Sequence, residues 1–304
     1  MDTSNLMCTR YTDQGINTIS DIEIFKSNIK NNTDKTTNKI YHLRLDEIDK
    51  GGWKNISFFK NNLLPTIDTS FVLLITGEDI TIPNQLDIRY RRSNYSELIK
   101  QLYNSVLSHR FLLHCYIENR DEAHYKTSSL PLGINPREKL YSLFKFMEHI
   151  PCISNRPLKT ICIHRPRSFR AGISDRQKID NIKHNWNGLL IEGMRHQRDF
   201  RRLLQKFPFV ICAHGGGLDP SPKAWEALCL GCIPIIKHSA LDDVYSEFPV
   251  VFVDDWNEDT ITMDNMKKWI ETYGKYYDDP VLKDTWKHKL YKKYWEDKIK
   301  SHFQ

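Results

Sequence analysis

The sequence predicts an α/β chain built from two doubly wound domains that face each other across a cleft. Three observations carry that expectation. Short runs that are apolar throughout alternate with segments of helical apolar spacing, as parallel strands buried on both faces alternate with helices. Two prolines in "HIPCISNRPLK" (149–159) interrupt the alternation once, and it then resumes. Late in the chain, "HGGG" joins one apolar run to a helix that proline opens.

Taken in order, the first 39 residues are polar, and "KSNIKNNTDKTTNK" reads as a loop. "KIYHL" (39–43) is a short strand and "SFVLLIT" (70–76) a strong one. "YSELIKQLYNSVL" (95–107) has helical spacing, "RFLLHCYI" (110–117) follows as a strand, and "SSLPLGI" (128–134) is extended up to Gly133. After the proline break come "KTICIH" (159–164) as a strand and "RHQRDFRRLLQKF" (195–207) as a basic amphipathic helix. "FVICA" (209–213), "CIPIIK" (232–237) and "FPVVFVDD" (248–255) are strands around the helix "PKAWEALCL" (222–230). Two aromatic-rich helical segments, 263–277 and 282–303, end the sequence. The expected division is 1–152, 153–275 and a C-terminal helix over 276–304.

Composition bounds the function classes. At 304 residues, 40% of them hydrophobic, the chain can fill two cores and is not disordered. The net charge of +6 suits an anionic ligand such as a nucleotide. Seven cysteines, an odd number lying partly in apolar runs such as "TICIH", do not form a disulfide framework. No apolar run reaches 18 residues, so the reading is a soluble, cytoplasmic chain without a transmembrane segment.

The stretch "AHGGGLDPSPKAWEALCLGCIPII" (213–236) carries the most chemistry. Gly215, Gly216 and Gly217 let a ligand approach the backbone, and Ser221 and Pro222 suit the cap and first position of a helix. That helix start offers free N–H groups to a phosphate, Lys223 adds a charge, and Glu226 can accept from a sugar hydroxyl. The glycines match neither G-x-G-x-x-G nor G-x-x-x-x-G-K-[ST], and alone they fit a tight turn equally well. Cys229 and Cys232 form a C-x-x-C in an apolar setting, which reads as buried thiols; no metal site is indicated.

Together with the following "SALDDVYSEFPVVFVDDW", this stretch resembles the C-terminal signature of exostosin-like glycosyltransferases of family 47, densely over about 209–256. "LITGEDITIP" and "SSLPLGI" resemble their N-terminal landmarks less specifically. The resemblance implies a GT-B fold: two Rossmann-like domains, the nucleotide-sugar held mainly by the second, and a last helix crossing back to the first. It implies a UDP-sugar donor such as UDP-xylose or UDP-glucuronate, a glycan acceptor, and inversion in one displacement. The donor seat would comprise His214, Gly215, Gly216, Gly217, Leu218, Asp219, Lys223 and Glu226, the glutamate on the ribose.

The chain has no strict Asp-x-Asp, so the expected mechanism is metal-independent, with no cofactor and with fixed charge stabilising the leaving diphosphate. Arg165 and Arg170 in "HRPRSFR" follow a strand and are the expected phosphate contacts. Asp79, and after it Glu78, follow a buried strand and are the expected bases; Glu118 and Asn119 are further acceptor-side candidates. Competing readings are a fucosyltransferase-like enzyme using GDP-fucose, a carbohydrate-binding non-enzyme and a nucleic-acid-binding protein. The basic helix around Arg198 has an apolar side (Phe200, Leu203, Leu204), which favours ordinary packing over nucleic acid.

Overall fold

The computed structural model describes residues 6–7, 18–25, 28–31, 38–45, 53–77, 79–86, 95–134, 140–165, 175–186, 188–193, 195–215, 217–220 and 222–304. The architecture is mixed α/β with two largely parallel sheets. The first holds β1 (Ile22–Phe25), β2 (Asn28–Asn31), β3 (Lys39–Arg44), β4 (Phe71–Thr76), β5 (Leu112–Ile117) and β6 (Thr127–Ser129). Its order is β2-β1-β3-β4-β5-β6, and only the β1–β2 pair is antiparallel. The second holds β7 (Thr160–Ile161), β8 (Leu190–Ile191), β9 (Phe209–Ile211), β10 (Ile233–Lys237) and β11 (Val251–Val253), in the order β11-β10-β9-β7-β8, parallel throughout.

The uninterrupted apolar runs have a plain cause. Along β4, Phe71, Leu73 and Ile75 pack with Phe59, Ile99 and Leu102 on one side of the sheet. Val72 and Leu74 join a larger core that also contains Ile211, Ile233 and Trp295. Both faces are covered, so alternation with polar residues disappears. The covering helices are α1 (Trp53–Phe58), α2 (Tyr95–Leu107), α3 (Leu140–Met147), α4 (Asp175–Ile182), α5 (Gln197–Lys206), α6 (Pro222–Cys229), α7 (Asp242–Tyr245), α8 (Met263–Asp278), α9 (Pro280–Lys287) and α10 (Lys292–Lys300).

The structure corrects the reading of 26–39 as loop: Asn28–Asn31 is a strand with all four side chains exposed. An edge strand is held by backbone hydrogen bonds alone and tolerates polar residues on both faces. β1, whose side chains Ile22 to Ile24 are buried within the stretch read as polar, is also an addition to the elements read from the sequence, as are α1, α3, α4, α7 and the two-residue β8. Several strands are shorter than their apolar runs; "KTICIH" contributes only Thr160–Ile161 to the ladder. The 282–303 segment is not one helix, because a 3-10 turn at His288–Leu290 separates α9 from α10. The chain end lies on the first sheet, where the His302 ring stacks on His114 of β5 at 4.3 Å and meets the Tyr116 hydroxyl at 3.0 Å.

Candidate functional site

In the second sheet the chain runs outward from β7 to β8 on one side and through β9, β10 and β11 on the other. The order therefore reverses between β7 and β9, and in open parallel sheets the crevice beyond the carboxyl ends at such a point is where ligands bind. β7 delivers Ile163, His164 and Arg165 to that crevice, and β9 delivers His214 and Gly215. Lys223, in the first turn of α6, ties the two ends together: its ammonium donates to Ile163 O at 2.5 Å and Ile211 O at 3.5 Å. Burial holds the lysine below its ordinary pKa. Arg176 from α4 reaches the same place, with Nη1 3.5 Å from Arg165 O and Nη2 3.5 Å from where a β-carbon on Gly215 would stand.

His214 is buried, and its Nδ1 lies 3.0 Å from Asp175 Oδ2, also buried. No hydrogen-bond partner among the described residues meets its Nε2. Behind the pair, Lys237 on β10 sits 3.4 Å from Asp175 Oδ1 and 3.2 Å from Asp255, which Lys178 also holds. Burial alone would raise the Asp175 carboxyl; the His214 contact and the Lys237 charge outweigh it and keep the pKa below the ordinary value. His164 Nε2 meets Asp180 at 3.2 Å, and burial lowers its pKa.

The carboxyl ends of the two sheets meet directly. Asn119, just after β5, accepts with Oδ1 from Leu218 N and Asp219 N, both at 3.0 Å. Between them and β9, Gly217 is packed so closely that a β-carbon would stand 2.5 Å from Asn119 Oδ1 and 2.6 Å from Asp79 O. Asp219 accepts from Tyr245 Oη at 3.2 Å and Leu132 N at 3.3 Å. Glu118 accepts from Gly77 N at 2.8 Å, joining the ends of β4 and β5.

The residues singled out in the sequence are thus distributed as follows. Asp79, Asn119, Gly217, Leu218 and Asp219 converge at the sheet-to-sheet contact, and Arg165, His214, Gly215 and Lys223 lie at the crevice. Glu226 is one turn further along α6, buried and paired with Arg201 Nε of α5 at 3.1 Å. Its carboxylate already serves a cation, so a sugar hydroxyl would have to share it. Glu78, Arg170, Gly216 and Ser221 fall outside the described residues. Sequence reasoning missed Asp175, Arg176 and Lys237. The acidic residue opening α4 is an ordinary helix start, and only the fold sets it against His214.

Cys229 and Cys232 are buried, and burial pushes the Cys162 and Cys212 thiols up to about 12, which leaves them protonated at neutral pH. Among the described residues no three His, Cys, Asp or Glu side chains are grouped as metal ligands, and no helix is long and apolar enough to cross a membrane.

No protein-family model matches the sequence, and no curated protein matches it. Among solved structures, the chain is similar to sucrose-phosphate synthase from Thermosynechococcus elongatus at 10% identity, over 83% of this chain and 68% of that one, with a TM-score of 0.41. A likeness that loose transfers neither fold nor activity; the α/β architecture rests on the two sheets themselves.

Proposed function

We propose that the chain is an exostosin-like glycosyltransferase of GT-B architecture, moving a sugar from a UDP-sugar to a glycan hydroxyl with inversion and without a metal ion. One observation carries the reading. The stretch that resembles the exostosin-like signature supplies His214, Gly215 and Lys223 to the crevice where the second sheet reverses, and Arg176 and the Arg165 backbone reach the same place from outside that stretch. Arginine and lysine side chains at this place suit the diphosphate of a sugar nucleotide, and Lys223, already held by two backbone carbonyls, needs no reorganisation as charge builds on the leaving group.

In this mechanism the donor lies against the turn from His214 to Asp219, with residues 153–275 as the donor-side domain and 1–152 as the acceptor side. The acceptor oxygen forms its bond to the anomeric carbon from the face opposite the diphosphate. The bond to the phosphate oxygen breaks and takes its electron pair onto the diphosphate. A base takes the acceptor proton, and Asp79, half-buried where the two sheets meet, is the first candidate. Asn119 and Glu118 hold the loops that present it.

Release of nucleoside diphosphate across UDP-xylose, UDP-glucuronate, UDP-glucose and GDP-fucose, with and without EDTA, tests the reading. Turnover of a UDP-sugar that survives EDTA is expected. Turnover only of GDP-fucose would move the chain to the fucosyltransferase-like alternative, and loss on chelation would remove the metal-free mechanism. Salt-sensitive oligonucleotide binding with no response to any nucleotide would replace the enzyme reading altogether.

A further inference from the structure

We propose that Asp175 is a positioning residue that turns His214 into an acceptor for a hydroxyl of the bound sugar nucleotide, while the neighbouring cations take its phosphates. This rests on the donor reading of the crevice.

The argument begins with what a carboxylate can do. It only accepts, so the Asp175 oxygen 3.0 Å from His214 Nδ1, a close ion-pair contact and not an aligned hydrogen bond, favours the ring hydrogen on that nitrogen. With its one ring hydrogen on Nδ1, the imidazole carries a lone pair at Nε2. That atom is buried and meets no partner among the described residues, although leaving such a group unpaired costs free energy. A ligand donor is the natural completion, and among the groups of a sugar nucleotide at this crevice the hydroxyls donate, whereas ionised phosphate oxygens only accept. Arg165 and Arg176, with donors alone, suit the phosphates instead. The Asp175 carboxylate is itself held by Lys237, and Lys237 by Asp255, so the ring is oriented by a chain of paired charges reaching from the surface. Metal-ligating histidines are oriented by carboxylates in the same manner; here the oriented nitrogen faces no metal ligand set among the described residues.

The test measures dissociation constants of inorganic pyrophosphate, UDP and the tightest-binding of UDP-xylose, UDP-glucuronate and UDP-glucose. The proteins are the full chain and its His214→Ala, Asp175→Asn and Asp175→Glu variants. Pyrophosphate should bind all four alike, which also reports that each is folded. The sugar nucleotide should lose about tenfold in His214→Ala and Asp175→Asn, with part of the loss restored in Asp175→Glu. If UDP shows the same loss, the hydroxyl is on the ribose; if only the UDP-sugar does, it is on the transferred sugar. Equal weakening of pyrophosphate would make His214 a phosphate donor and overturn the proposal. So would unchanged binding of UDP-sugar and UDP, or a loss in Asp175→Glu as large as in Asp175→Asn. If the unaltered chain binds no nucleoside diphosphate at all, the donor reading fails and this proposal falls with it; variant effects without wild-type failure leave that reading standing.

Discussion

At the scale of single residues, two positions govern how the sheets meet. Asn119 Oδ1 satisfies two buried N–H groups, so Asn119→Ala leaves both without their acceptor. Each orphaned donor costs about 1–3 kcal/mol, and urea unfolding should show a loss of at least the lower figure. Gly217→Ala is the complementary test. Its new methyl would strike backbone and side-chain oxygens of the other sheet's loops, so both a lower melting temperature and weaker donor binding are expected. Retention of both would mean that the two loops part freely. Asp79→Ala should reduce kcat with little change in donor affinity, separating a base from a donor contact. These residues differ in how legible they were. The glycine turn and the strand-end acids stand out in the sequence because glycine and charge beside apolar runs are unusual. Asp175 does not, since its chemistry arises only from the packing of α4 against the β9 turn.

At the scale of elements, local rules explain the helix boundaries well. Thr262 caps α8 by accepting from Asn265 N, and Asp279 caps α9 by accepting from Val281 N and Leu282 N, with Pro280 following. Asp279→Ala should cost about 1 kcal/mol, read as a shifted denaturation midpoint; an unchanged midpoint would show that tertiary contacts alone hold α9. β4, β5, β9 and β10 were readable because burial on both faces leaves an uninterrupted apolar run. β2 and β8 were not: one is polar and exposed, the other two residues long, and neither leaves a periodic signal. Arg201 shows the limit from the other side. It belongs to a helix whose arginines look uniformly solvated, yet it is buried against Glu226, and helical phase alone does not announce the pairing.

At the scale of the whole molecule, acid should unfold the chain through its buried rings. Burial, then the His302 ring and the cations Arg120 and Lys298, holds His114 down to about 4; burial and Arg44 hold His42 to about 3. Both folded values lie below the ordinary 6.5, so between 6.5 and those values the unfolded chain binds protons that the fold refuses. Stability therefore falls as pH falls through that window, by at most about 1.4 kcal/mol per pH unit for each group. The urea midpoint should be lower at pH 4.5 than at pH 7, and a midpoint that held or rose would contradict the assignment. The same scale gives β2 a second meaning. Asn28–Asn31 is a border strip: no described strand pairs with its outer row of peptide groups, and Lys30 and the two asparagines make it a poor template for addition. Strip it away and β1, with buried Ile22 and Ile24, becomes the rim of a continuous sheet. A chain lacking residues 28–31 should gather into larger species as concentration rises, and light scattering against the intact chain would reveal it. On that expectation a strand with one hydrophobic side chain, Ile29, among four serves as insulation, keeping one copy of the sheet from recruiting the next.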